Sequence, residues 1–191
     1  IDTCFGTHHL MFAEDAAETL WTSGGGPVIG WLKPAQFLET GDAAASQGWT
    51  PFILDTNGNG VRDADYVEPG DPVDPTRDKR ISPGSFYAVA PAADGSVWGS
   101  ILGYPGAVVR LAPGANPVET ALIEYYELPV DENGDAIEGF SPRGMDIDRD
   151  GVAWVALASG HMASFDRRKC AGPLNGPRAT GQHCPGGWSF H

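Results

Sequence analysis

A chain of 191 residues with 41% hydrophobic residues is long enough to build a real core and too apolar to be a disordered segment. Its formal net charge of -13, from 25 acidic against 12 basic residues, repels phosphate backbones and anionic lipid surfaces. Nucleic acid is therefore an unfavoured partner, whereas calcium or a cationic partner suits the surface. No apolar run is long enough to span a membrane and no signal peptide is visible. The chain starts at Ile1 and reads as a processed product or a fragment.

Gly (26) and Pro (16) are abundant enough to predict many short strands joined by turns. The first organised stretch is "HHLMFAEDAAETLWTSGGGPVIGWL" (8–32): an apolar strand, an acidic turn, a strand carrying Trp21, a Gly-rich turn and a third strand. His8 and His9 are adjacent, so strand alternation predicts that they point to opposite faces and share no metal. The period of two breaks at "LKPAQFLETGDAAASQGW", where Pro34–Ala45 reads as a short helix. The strand "TPFIL" (50–54) then leads into "DTNGNG".

That hexapeptide has the spacing of a calcium loop. Asp55, Asn57 and Asn59 fill the first, third and fifth positions and Gly60 the sixth, where the chain bends. Val61 supplies the backbone carbonyl at the seventh and Asp63 falls at the ninth. The twelfth position, which calls for a bidentate carboxylate, is Tyr66, so Asp65 or Glu68 would have to substitute. The segment 55–78 holds seven carboxylates, which repel one another unless a cation neutralises them. Calcium with a structural role is the expectation; the alternative is a solvated acidic loop with two Asn-Gly turns.

Two further stretches repeat the first: "FYAVAPAADGSVWGSILGYPGAVVRL" (86–111) with Trp98, and "PRGMDIDRDGVAWVALASGHMASFD" (142–166) with Trp154. Asp94-Gly95 and Asp150-Gly151 are hairpin turns. Tyr87 and Arg143 lie eleven residues before their Trp; His9 lies twelve before Trp21, behind a longer turn. His9, Tyr87 and Arg143 are thus expected at one equivalent position, as a base, a hydrogen-bond donor and an anion clamp. The alternative is that each only caps its strand. The apolar segments "ALIEYYELP" (121–129) and "GGWSF" (186–190), like "TPFIL", fit as fourth strands. Cys170 and Cys184 bracket a Gly- and Pro-rich loop; a disulfide there closes roughly 15 residues and contributes on the order of 3 kcal/mol, unless the two are unrelated thiols. Cys4 is left over, either buried and free or paired beyond this chain. His161 reads as a surface residue and His183 as part of loop structure.

The repeated order of hydrophobic strand, acidic-Gly turn, Val-Trp, Gly turn and a strand ending in Arg-Leu or Phe-Asp resembles the streptogramin (virginiamycin B) lyase-like propellers and the related NHL and gluconolactonase types. The resemblance implies an all-β chain of about three β-propeller blades from a ring of six or seven. The rest of that ring would come from a longer chain or from other copies; three unrelated hairpins in a β-sandwich are the alternative. The expected divisions are 1–49 as a first blade-like repeat and 50–80 as its last strand and the calcium-loop insertion. Residues 81–139 form the second repeat, and 140–191 the third with its disulfide-closed loop. In such lyases a His base works beside a Glu-held magnesium, and gluconolactonase-like relatives hold calcium in the funnel; neither set matches residues of this chain. CxxCH, GxSxG, P-loop and HExxH motifs are absent. The expected function is a secreted or periplasmic, calcium-stabilised module that binds a ligand or protein. A metal-dependent lyase or lactonase and a structural component of an assembly are the alternatives.

Overall fold

A computed structural model describes residues 1–191, and it is an all-β molecule. Strands β1 (Leu10–Phe12), β2 (Leu20–Thr22), β3 (Val28–Leu32) and β4 (Gln47–Leu54) form one antiparallel meander. The short strand β5 (Lys79–Ile81) pairs with β4. Strands β6 (Phe86–Pro91), β7 (Val97–Ile101), β8 (Ala107–Ala112) and β9 (Leu122–Glu127) form a second meander. A third comprises β10 (Pro142–Ile147), β11 (Ala153–Leu157), β12 (Met162–Phe165) and β13 (Trp188–Phe190). Helix α1 (Pro34–Thr40) interrupts the first meander; it starts on a Pro whose missing N–H costs nothing there and stops earlier than the sequence suggests, at Gly41 in the left-handed conformation. A second, one-turn helix, α2, covers Pro117–Thr120. No helix is long and apolar enough to cross a membrane.

The first two meanders are not separate sheets. Their outer strands β4 and β9 meet through one parallel pair, Leu54 with Ile123, and their first strands β1 and β6 lie side by side. The result is a nearly closed, barrel-like sheet beside the independent third meander. The sequence divisions cut two elements, since β4 starts at Gln47 and crosses the boundary at 49/50, and β5 crosses the boundary at 80/81.

Two apolar clusters hold the meanders together. Trp21, Ile29 and Trp31 of the first pack with Val89, Val97, Val109 and Leu111 of the second. Trp98, Val108 and Tyr126 of the second pack with Val155, Ala163 and Phe165 of the third. Gly99 permits the first of these layers to be thin: a Cβ there would stand 2.2 Å from the Phe86 ring. Each Trp therefore faces the meander that follows its own. Trp154 has no following meander and is 38% exposed, stacked on His191 with ring centres 5.0 Å apart. Met162 stands opposite Ala156 as Ile29 and Val108 stand by Ser23 and Ser100, yet it is 44% exposed while those two are buried.

A disulfide joins Cys170 to Cys184, with Cα atoms 5.0 Å apart. Cys4 is free and exposed rather than buried. Its short N-terminal segment lies across the sheet because Phe5, not Cys4, carries the packing, with its ring over Gly30.

Candidate functional site

The residues just before β1, together with strands β6 and β10, bring the sequence candidates together. The His9 and Tyr87 rings are 5.1 Å apart, and the Arg143 guanidinium lies 5.8 Å over the Tyr87 ring. His8 and Arg143 are exposed, as is His9, and Tyr87 is half-buried. His8 belongs to the row as well, with its ring 5.4 Å from Tyr87 and 4.2 Å from His9.

A β-bulge explains why. In β6 the pairing jumps from Phe86↔Ile101 to Val89↔Gly99, so Tyr87 and Ala88 both stand opposite Ser100. In β10 Arg143 and Gly144 both stand opposite position 156 in the same way. Before β1, His8 N–H donates to the Ser23 carbonyl while Ser23 N–H donates to the His9 carbonyl, so those two histidines share Ser23. The residue equivalent to Tyr87 and Arg143 is therefore His8, with His9 the second bulge residue. A bulge suspends strand alternation. That corrects the expectation that His8 and His9 face apart: their rings meet edge to face.

Sequence reasoning also missed the serines that set this row. Ser23 Oγ accepts from His9 N–H at 3.0 Å and donates to the Tyr87 carbonyl at 2.8 Å. Ser100 Oγ accepts from Ala88 N–H at 3.1 Å and donates to the Arg143 carbonyl at 2.5 Å. The hydroxyl two residues after the Trp thus ties the first strand of its own meander to the first strand of the next. It satisfies buried backbone groups that the bulges leave without ladder partners. The third repeat has Ala156 at this position. The signal was in the sequence as Trp-x-Ser, Trp-x-Ser and Trp-x-Ala.

The acidic loop forms a second constellation. Asp55 is buried and its carboxylate accepts from the N–H groups of Asn59 (3.1 Å) and Gly60 (3.0 Å). The Asn57 side chain accepts from Asn59 N–H and donates to Asp63 Oδ2 at 2.9 Å. Asn59 Oδ1 accepts from Val61 N–H, and the Val61 side chain is exposed. Asp78 joins them: its Oδ2 accepts from Asp63 N–H at 2.8 Å, and its own N–H donates to Asp63 Oδ2 at 2.9 Å. Burial, together with the nearby Asp63 and Asp55 charges, pushes the Asp78 carboxyl up to about 6, against its hydrogen bond from Asp63 and the field of Arg62. Asp65 and Glu68 are not brought to this cluster. Asp65 pairs with Arg77 at 3.2 Å, and Glu68 pairs with Arg80. His183 is half-buried against Tyr126, and burial pulls its imidazole below the ordinary histidine range. His161 is exposed and bonds Ser159.

No family model matches the chain, and no curated protein matches it. Among solved structures it is similar to one described as a streptogramin B lyase structure, at 13% sequence identity and a TM-score of 0.44. That similarity covers 83% of this chain, which spans 38% of the other's length.

Proposed function

We propose that the chain is a β-propeller segment of three four-stranded blades whose first strands line a ligand-binding funnel, stabilised by calcium in the 55–78 insertion. The observation that carries this reading is the convergence of His8, His9, Tyr87 and Arg143 from the residues just before β1 and from strands β6 and β10. The two imidazoles and the guanidinium are exposed, with no ion pair to occupy them, on a chain that otherwise carries an acidic excess. Such a row suits a carboxylate or phosphate ligand, which Arg143 would hold by paired N–H donors. A further blade, from chain beyond these residues or from another copy, covers Trp154 and Met162 and completes the funnel. The Cys170–Cys184 disulfide supports a secreted or periplasmic location.

The test is titration with inorganic phosphate and with citrate, followed through the histidine ring resonances. Wild-type shifts are expected to saturate, and Arg143→Ala to weaken binding about tenfold with a Tm change within about 2 °C. Ser100 holds the Arg143 carbonyl rather than its side chain, so the strand stays anchored in the variant. Histidine resonances unmoved by either anion up to about 50 mM would sink the reading. An equal loss of stability and binding would make Arg143 a strand cap.

A further inference from the structure

We infer that Asp78 is a ligand of the cation site in the acidic loop, supplying the carboxylate that the loop lacks at its twelfth position. The inference rests on the reading that this loop takes calcium and assigns the residue that completes it.

Asp78 has no solvent exposure, and its Oδ1 is a buried oxygen without a hydrogen-bond partner. A buried carboxylate oxygen left in this state is costly unless a cation meets it. Asp78 lies directly against a second carboxylate, since its Oδ2 accepts from Asp63 N–H and its own N–H donates to Asp63 Oδ2. The Arg62 guanidinium does not pair with it, donating instead to Thr50 Oγ1 at 2.9 Å and to the Pro117 carbonyl at 3.4 Å. No ion pair joins any basic side chain to Asp55, Asp63 or Asp78. Tyr66 stands at the twelfth position, and the two carboxylates nearest to it in sequence are held by Arg77 and Arg80. Among the carboxylates of the insertion, Asp78 alone has a buried oxygen without a partner.

The donors are carboxylate and amide oxygens only, which suits a hard divalent cation. The number available around Asp55, Asn57, Asn59, Asp63 and Asp78 fits calcium, which takes six to eight oxygens, with magnesium favouring fewer protein ligands. The placement adds a mechanical role. Asp55 directly follows β4 and Asp78 directly precedes β5, which pairs back onto β4. A cation bound by both clasps the two ends of the insertion where they leave and rejoin the sheet.

The experiment is calcium calorimetry on chelator-treated protein for the wild type, Asp78→Asn and Glu68→Gln. Asp78→Asn keeps an oxygen to accept from Asp63 N–H and removes the charge. The expected result is calcium binding by the wild type, weakening of at least about tenfold in Asp78→Asn, and a change within about twofold in Glu68→Gln. Wild-type protein that binds no calcium below about 1 mM overturns the calcium reading of the loop and this assignment with it. Wild-type binding retained unchanged in Asp78→Asn overturns the assignment alone and leaves the loop reading standing. Should Asp78→Asn fail to fold, the side-chain carboxyl carbon resonance of Asp78 in the wild type decides. It must move with stoichiometric calcium, and a resonance that stays in place while calcium binds overturns the assignment.

Discussion

Glu124 shows how a single charged side chain is made tolerable between two meanders. It is buried, and its two oxygens accept from Arg167 Nε (2.6 Å) and Nη2 (2.7 Å), from the Tyr126 hydroxyl (2.7 Å) and from Arg110 Nη1 (3.4 Å). Arg110 reaches on to Asp94 at 2.9 Å. Burial raises the Asp94 carboxyl, but hydrogen bonds from Ser96 and Arg110 outweigh it and hold the group at about 2. Asp94 therefore adds stability above its ordinary value of 3.8 that is lost as pH falls through about 2. In urea unfolding, Asp94→Asn is expected to be less stable than wild type at neutral pH, with the gap closing between about pH 4 and pH 2. A gap of constant size across that range would assign the loss to packing instead. None of this network was legible beforehand, because its members are scattered from 94 to 167 and only the register brings them together. The candidate row is legible to within one residue: the spacing points to His9 where His8 is the equivalent, since a bulge does not show in a hydrophobic pattern. Asp78 is visible in the sequence as one of seven acids but not as one of the two buried ones, because burial there depends on β5 pairing with β4.

At the scale of elements, the three Trp-bearing second strands were the clearest sequence signal. Trp21, Trp98 and Trp154 occupy β2, β7 and β11, opposite Met11, Ala90 and Asp146 of the first strands. The segments 50–54, 121–129 and 186–190 contain most of β4, all of β9 and all of β13. The link between β4 and β9 was not legible, because one parallel residue pair leaves no periodic trace. Position in the series, not residue type, decides what each Trp contributes. Trp98 is 2% exposed and sits among the Tyr126 and Phe165 side chains, so Trp98→Ala is expected to cost about 3–5 kcal/mol in chemical denaturation. Trp154 is bound mainly through its Nε1–H to Asp148 at 2.9 Å, and Trp154→Ala is expected to cost about 1 kcal/mol or less in this chain alone. Equal losses would mean that the third meander's open face is covered in solution.

For the molecule as a whole, the acidic excess is a self-repulsion that salt relieves and that the proposed calcium would relieve further. Raising salt from about 0.01 M to about 0.15 M shortens the screening length from about 30 Å to about 8 Å. Scanning calorimetry is expected to show Tm of chelated protein rising over that range, and rising less once calcium is present. A calcium-independent salt effect would place the repulsion elsewhere than the insertion. The insertion also touches the third meander, where Gly176 N–H of the disulfide-closed loop donates to the Asp55 carbonyl at 2.8 Å. The two serine bridges, finally, share a direction. Ser23 of the first meander holds a carbonyl of the second, and Ser100 of the second holds a carbonyl of the third, whereas Ser85 before β6 accepts from Gly26 N–H of the first. Chains are made from the N-terminus, so the Ser23 and Ser100 hydroxyls exist before the strands they will grip.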